Sequence, residues 1–181
     1  MNFDTLFLDR DGILNRKIDD GYVLSISDVE LMPGMREFLL WAKDNFKQLV
    51  VVTNQRCIGR NLVSEQEVKV INDFINKQLG NHISAFYVCP HLTEESCNCR
   101  KPKQGLFLAV AKDFRVEFEH SWMVGDSETD LIPAKQLGIQ TIYISNRSSK
   151  YADVAVIATD EIQEIFLKIV AGAIPVDTFT G

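Results

Sequence analysis

Short apolar runs of strand length alternate along this chain with stretches of helical periodicity, and this alternation constrains the fold more than any other feature. Thr5-Leu6-Phe7-Leu8 is the first such run, and it ends in Asp9-Arg10-Asp11-Gly12. A continuous apolar run followed by turn residues reads as a buried strand entering a turn. Further strands are expected over 48–52, 85–88, 121–124, 139–144 and 153–157. Between them, Pro33-Gly34 opens a helical pattern carrying Met35, Phe38, Leu39 and Ala42. Ser64 and Glu67 have the spacing of a capping box for a helix carrying Val68, Ile71, Phe74, Ile75 and Leu79, which Gly80 stops. Two more helices are expected around 105–113 and over 131–137, the latter with Pro133 in its first turn, and an amphipathic one from Asp160 to about Val170. Residues 13–32 read as an irregular excursion. Strands alternating with helices argue for an α/β, Rossmann-like fold, a mostly parallel sheet with helices on both faces.

A chain of 181 residues, 46% of them apolar, suits one domain, expected over 1–172 with a loosely held tail over 173–181. The formal net charge of −6 lacks the basic surplus a general nucleic-acid binder needs. An anionic ligand would therefore need locally concentrated positive charge, or a metal. Apolar runs such as Leu49-Val50-Val51-Val52 are far too short to span a bilayer, and Met1-Asn2-Phe3-Asp4 does not begin a secretory signal. A cytoplasmic monomer with neither nucleic-acid nor membrane partners is the expectation.

In open parallel sheets, ligands bind beyond the carboxyl ends of the strands. Asp9, Thr53, Cys89 and Asp126 all fall at such ends, so four polar groups distant in sequence converge on one edge. Asp9 and Asp11 are two apart on extended chain, so both carboxylates can face one site while Arg10 turns away. One can attack phosphorus and form an acyl phosphate; the other can protonate the leaving oxygen and later deprotonate the attacking water. A phosphate dianion resists this chemistry without added positive charge, which Mg²⁺ on carboxylate oxygens can supply. Asp126 suits a metal ligand and Asp130, one helical turn on, its support; helix capping, a common role for an acid, is the alternative. Thr53 can donate to a phosphate oxygen, and Lys101 can offset charge crowding; alone, each would pass for an ordinary strand end and a surface lysine.

Cys89, His91, Cys97 and Cys99 crowd a single loop over 89–99. In a reducing compartment three thiolates and an imidazole make a closed site, which is typically structural Zn²⁺ and leaves no position for catalysis. His82 and His120 match no pattern and read as surface residues.

Asp9-Arg10-Asp11-Gly12, Thr53, Lys101 and Gly125-Asp126, in this order, resemble the four motifs of the haloacid dehalogenase superfamily of phosphohydrolases. The resemblance implies Asp9 as nucleophile, Asp11 as acid/base, Thr53 and Lys101 as phosphate stabilisers, and Mg²⁺ on Asp9, the Asp11 carbonyl and Asp126. With the Cys/His loop and Arg100-Lys101-Pro102, the chain is similar to the histidinol-phosphate and D-glycero-D-manno-heptose 1,7-bisphosphate phosphatases, which lack a large cap domain. That likeness implies Arg100 beside Lys101 on the substrate. It also implies a pocket from Asp19, Asp20, Gly21 and Tyr22 together with Asn54, Gln55 and Arg56. Arg56 and Arg60 are further candidates, with Arg100, for a second phosphate. The expected substrate is a small phosphorylated metabolite: the heptose bisphosphate, cleaved at its 7-phosphate, ahead of histidinol phosphate. A polynucleotide phosphatase and a non-catalytic, zinc-stapled binding protein are the remaining alternatives. Ile13 departs from the Thr usual in the superfamily's first motif, and Cys57 and Ser127 depart from the Gly and the basic residue usual in the narrower phosphatase group.

Overall fold

The computed structural model describes residues 3–156. Six strands, β1 (Phe3–Leu8), β2 (Phe46–Asn54), β3 (Ala85–Cys89), β4 (Trp122–Gly125), β5 (Gln140–Ile144) and β6 (Val154–Val156), form one sheet in the order β3-β2-β1-β4-β5-β6. Every pairing is parallel. The chain builds outward from β1 to β3, then returns to the other side of β1 for β4 to β6. The direction of winding therefore reverses between β1 and β4, and a crevice opens there beyond the strand ends.

Among the described residues there are five α-helices: α1 (Met35–Asn45), α2 (Arg56–Gly59), α3 (Glu65–Gln78), α4 (Gly105–Asp113) and α5 (Glu128–Gln136). Alternation along β1 sends Leu6 and Leu8 to one face, against Phe38 and Leu39 of α1 and Ile71 and Ile75 of α3. It sends Phe7 to the other face, against Leu106 and Phe107 of α4 and Ala134 of α5. The core is thus two apolar layers separated by the sheet.

The expected α/β architecture holds, with local differences. β2 is longer than expected because α1 runs straight into it, Phe46 being the first residue to point into the core. The capping box of α3 forms as expected: Ser64 N donates to Glu67 Oε2 (2.8 Å) and Glu67 N to Ser64 Oγ (3.2 Å). Helix α5 starts three residues before its expected beginning at Leu131. Ser127 caps it, with Asp130 returning a bond to the Ser127 N–H (3.1 Å), and Pro133 therefore sits inside the helix rather than in its first turn. Helix α2 was not expected; one turn is too short for any periodicity to show. The expected helix from Asp160 and the tail lie outside the described residues. Among the described residues no helix is long and apolar enough to cross a membrane.

Candidate active site

The crevice at the winding reversal is a cleft of about 550 Å³. Asp9 leaves the end of β1, tied down by its own N–H to Val124 O on β4 (3.0 Å). Asp126 follows β4, and Gly12 makes room for it: at φ +94° this residue is in the left-handed region, and a Cβ there would fall 2.5 Å from Asp126 Oδ2. Asp9, Asp126 and Asp130 place carboxylate oxygens within 4.8 Å of one another. Lys101, only 3% exposed, threads between them, with Nζ 2.9 Å from Asp9 Oδ1 and 2.6 Å from Asp130 Oδ1, and donates also to Val52 O (2.7 Å). Burial alone would lower the Lys101 pKa, but the Asp130 and Asp9 carboxylates hold it above its ordinary value. Burial and the neighbouring Asp9 push both Asp126 and Asp130 upward.

The carboxylates of Asp9, Asp126 and Asp130 outnumber the two ammonium groups, Lys101 and Lys17, that pair with them. Asp126 Oδ1 is buried with no hydrogen-bond partner among the described residues, while Asp126 Oδ2 takes an ion pair from Lys17 (3.0 Å). A buried carboxylate oxygen without a donor is costly and fits a cation held among Asp9, Asp126 and Asp130.

Asp11 lies beside this cluster but is bound differently. Arg10 Nη2 donates to both Asp11 oxygens (3.0 Å each), Asn15 Nδ2 to Oδ1 (2.9 Å) and Gln55 Nε2 to Oδ2 (2.7 Å). Burial would raise the Asp11 pKa; Arg10 and these amides outweigh it and hold the carboxyl low. Arg10 does turn from the cleft, as expected, yet it is fully buried and folds back on Asp11 rather than facing solvent. Thr53 lines the cleft at the end of β2, accepting from Gln55 Nε2 (3.0 Å), so its own hydroxyl proton is left to donate.

The rest of the cleft wall draws on most of the expected pocket residues: Asp20, Gly21, Tyr22, Asn54, Gln55, Arg56 and Arg100, with Arg60. Arg56 Nε donates to the Tyr22 hydroxyl (2.6 Å), and the Arg56 and Arg60 guanidinium carbons lie 5.8 and 5.7 Å from its ring centre. Two amides are already engaged. Asn54 exchanges two bonds with the Lys101 backbone (3.0 and 3.1 Å), fixing the lysine's loop, and Gln55 serves Asp11 and Thr53. Asp19 is exposed and is not among the residues that line the cleft.

Beyond the cleft, Cys89, His91, Cys97 and Cys99 gather as a second group. All four ligand atoms lie within 4.8 Å of one another, five of the six separations run from 3.2 Å (Cys99 to Cys89 and to His91 Nδ1) to 3.7 Å (Cys89 to Cys97 and to His91 Nδ1), and all the cysteines are free thiols. Ligands at zinc bond lengths stand about 3.5–3.8 Å apart at tetrahedral corners, so the cage is compatible with zinc. The Arg100 N–H points at Cys97 Sγ (3.4 Å) and Arg100 Nη1 at His91 O (3.3 Å), so the cage sets the chain that carries Arg100 and Lys101 into the cleft.

A family model of haloacid dehalogenase-like hydrolases matches residues 4–138. The chain belongs to that family. It is 43% identical over 125 residues to a probable D-glycero-D-manno-heptose-1,7-bisphosphate 7-phosphatase of Thermoplasma volcanium, covering 67% of this chain and 84% of the relative. It is 41% identical over 131 residues to the D-glycero-beta-D-manno-heptose-1,7-bisphosphate 7-phosphatase of Helicobacter pylori strain 26695, covering 70% and 75%. It is also 34% identical over 146 residues to the histidine biosynthesis bifunctional protein HisB of Blochmanniella floridana, of which only 41% is covered against 78% of this chain. Among solved structures, the D,D-heptose 1,7-bisphosphate phosphatase of B. bronchiseptica, complexed with magnesium and phosphate, superimposes with a TM-score of 0.77 at 24% identity over 91% of this chain and 98% of that one. At that identity the likeness speaks for the fold.

The departures, Ile13 from the superfamily pattern and Cys57 and Ser127 from the narrower phosphatase pattern, have local explanations. Ile13 is buried in the core layer beneath α1, where its side chain packs rather than bonds. Cys57 is fully buried on α2 against Val63 and Val68. Ser127 is the cap of α5. Asn15 and Lys17 bond the site's carboxylates, and Asn72 bonds Arg10 behind them, although no local pattern singles these three out. Lys17 reaches Asp126 across 109 positions of sequence, and no local pattern signals such a contact.

Proposed function

We propose that this protein is a Mg²⁺-dependent phosphatase that removes the 7-phosphate of D-glycero-D-manno-heptose 1,7-bisphosphate through an aspartyl-phosphate on Asp9. The observation that carries the reading is the state of Asp9 at the winding reversal. Its Oδ1 is occupied by Lys101 and the Arg10 N–H (2.9 and 2.8 Å), which leaves Oδ2 for attack. A cation bound at Asp9 and Asp126 would neutralise the phosphate dianion and orient it. Thr53 and Lys101 hold its remaining oxygens. Asp9 forms the new bond to phosphorus as the bond to the sugar oxygen breaks, and Asp11 gives that oxygen its proton. The incoming dianion beside Asp11 raises the carboxyl's affinity for that proton. Asp11 then takes a proton from water, whose oxygen attacks phosphorus and frees Asp9.

A bisphosphate suits this cleft because Arg56, Arg60 and Arg100 also line it, and guanidinium matches phosphate in a bidentate fashion. The relatives in Thermoplasma volcanium and Helicobacter pylori carry this activity in their names. The similarity to HisB keeps histidinol phosphate as the comparison substrate. Under identical Mg²⁺, kcat/KM should favour the heptose bisphosphate by about tenfold or more. Equal or better turnover of histidinol phosphate would remove the heptose assignment.

The Cys/His cage should hold about one zinc per chain, as a closed four-ligand site does. Cys97→Ser or Cys99→Ser should lower the melting temperature and raise KM, while kcat stays within about tenfold, because the cage supports Arg100 and Lys101 without touching phosphorus. Elemental analysis that finds no zinc in metal-replete protein would defeat this part of the proposal.

The crowded carboxylates also set a pH dependence. Asp126 and Asp130 have raised pKa values when folded, so the stability linked to them is full below the ordinary carboxylate pKa of about 4 and is lost as pH rises through their folded values. A cation binds their ionised form and relieves the crowding that appears as pH rises. Thermal melts should show a larger Mg²⁺-induced rise in Tm at about pH 8 than at about pH 5. Equal shifts, or a larger one in acid, would argue against a cation held by these carboxylates.

A further inference from the structure

We infer that Arg10 and Asn72 are positioning residues for Asp11, a cradle that reaches from helix α3 to the acid/base carboxylate. The inference rests on the reading of Asp11 as acid/base and goes beyond it, since neither residue has a part in the proposed chemistry.

A fully buried guanidinium is expensive unless its donors are met. Among the described residues three groups meet them. Nε and Nη2 go to Asp11, Nη2 also to Gln55 Oε1 (3.0 Å), and Nη1 to Asn72 Oδ1 (3.2 Å). Gln55 closes a ring by donating to Asp11 Oδ2. Asp11, Arg10 and Gln55 therefore fix one another, and Asn72 pins the ring to the sheet-covering face of α3. Asn72 is 3% exposed and 62 positions from Arg10 in sequence. It does not line the cleft. A carboxylate gripped on both oxygens by a rigid planar fork has its plane fixed, and a proton donor must be aimed at the leaving oxygen to be effective.

A cradle that only stabilises the fold would act equally on all substrates; one that aims Asp11 would not. A dinitrophenolate leaves without needing a proton, whereas an alkoxide needs one. In Asn72→Leu, which keeps the size and removes the acceptor, kcat for an alkyl phosphate should fall about ten- to a hundredfold with KM within about twofold. For 2,4-dinitrophenyl phosphate, kcat/KM should fall less than about threefold, because it reports only the step that forms the aspartyl-phosphate and not the water step that Asp11 also serves. Asn72→Asp, which restores an acceptor for Arg10, should recover most of the alkyl phosphate activity. If the Leu variant does not fold, Asn72→Ser measured in the same two assays decides. Asp11→Asn serves as the reference. If it too lacks the leaving-group-dependent loss, the acid/base reading of Asp11 is what fails. If Asp11→Asn shows that loss in kcat/KM and the Asn72 variants lose kcat/KM equally on both substrates, or on neither, the positioning role is overturned.

Discussion

Asp9→Asn should abolish turnover, lowering kcat by about four to six orders of magnitude, as removal of a covalent nucleophile does. The substitution isolates chemistry from shape. The amide oxygen can still accept from Lys101 and from the Arg10 N–H, the two contacts that fix Oδ1 in the native protein. What it lacks is the second anionic oxygen. The change also removes one charge from a cluster that already pushes Asp126 and Asp130 upward, so the folded state should be at least as stable as the native one. An inactive but undiminished Tm is therefore the expected pair of results. Rapid acid quenching of native protein with substrate should trap a phosphorylated chain, and the variant should trap none. Turnover in Asp9→Asn within about tenfold of native would exclude the aspartyl-phosphate route.

Lys101→Met should damage both stability and activity. The Lys101 ammonium is buried between Asp9 and Asp130, and methionine fills much of its volume without its charge. Removing one member of a buried, bonded ion pair leaves the others uncompensated, at a cost of about 3–5 kcal/mol. Loss of a charge-stabilising donor at the phosphoryl group should lower kcat by about 10²–10³ beyond any effect of unfolding. Denaturant unfolding measures the first effect, and kinetics on the folded fraction measure the second. Adding Asp130→Asn to Lys101→Met should recover part of the stability, because the orphaned charge is gone, but none of the activity. If Lys101→Met unfolds at the native denaturant midpoint, the ammonium is not the counter-ion the geometry makes it.

The sequence carried its own account of the sheet. Leu6, Leu8 and Phe7 form a continuous apolar run because both faces of β1 are buried, and the same holds for Val50 to Val52 in β2. Such runs, with helices between them, already imply parallel strands. Parallel strands put all their carboxyl ends on one edge, which is why Asp9, Thr53, Cys89 and Asp126 could be brought together before any coordinates were known. The Cys/His loop was legible for a related reason: four ligands within eleven positions need little help from the rest of the fold. Boundaries were less legible. Helix α5 was expected too late because Pro133 looked like a first-turn proline, whereas the capping bonds between Ser127 and Asp130 decide where that helix begins.

Three further features were settled only by tertiary structure. Strand order is one: alternation permits many orders, and only the return of the chain from β3 to β4 beside β1 puts Asp126 next to Asp9. The second is how charge is shared. Lys101 could be nominated from its neighbours in sequence, but its burial between Asp9 and Asp130, and the ion pair of Lys17 with Asp126, depend on approaches between distant segments. The third is the reach of Asn72 to Arg10, from the middle of a helix whose sequence announces only an apolar stripe and a cap. Periodicity records which way a residue faces within its own element. It carries no information about which distant polar group will meet it there, because that pairing is fixed by how the elements pack.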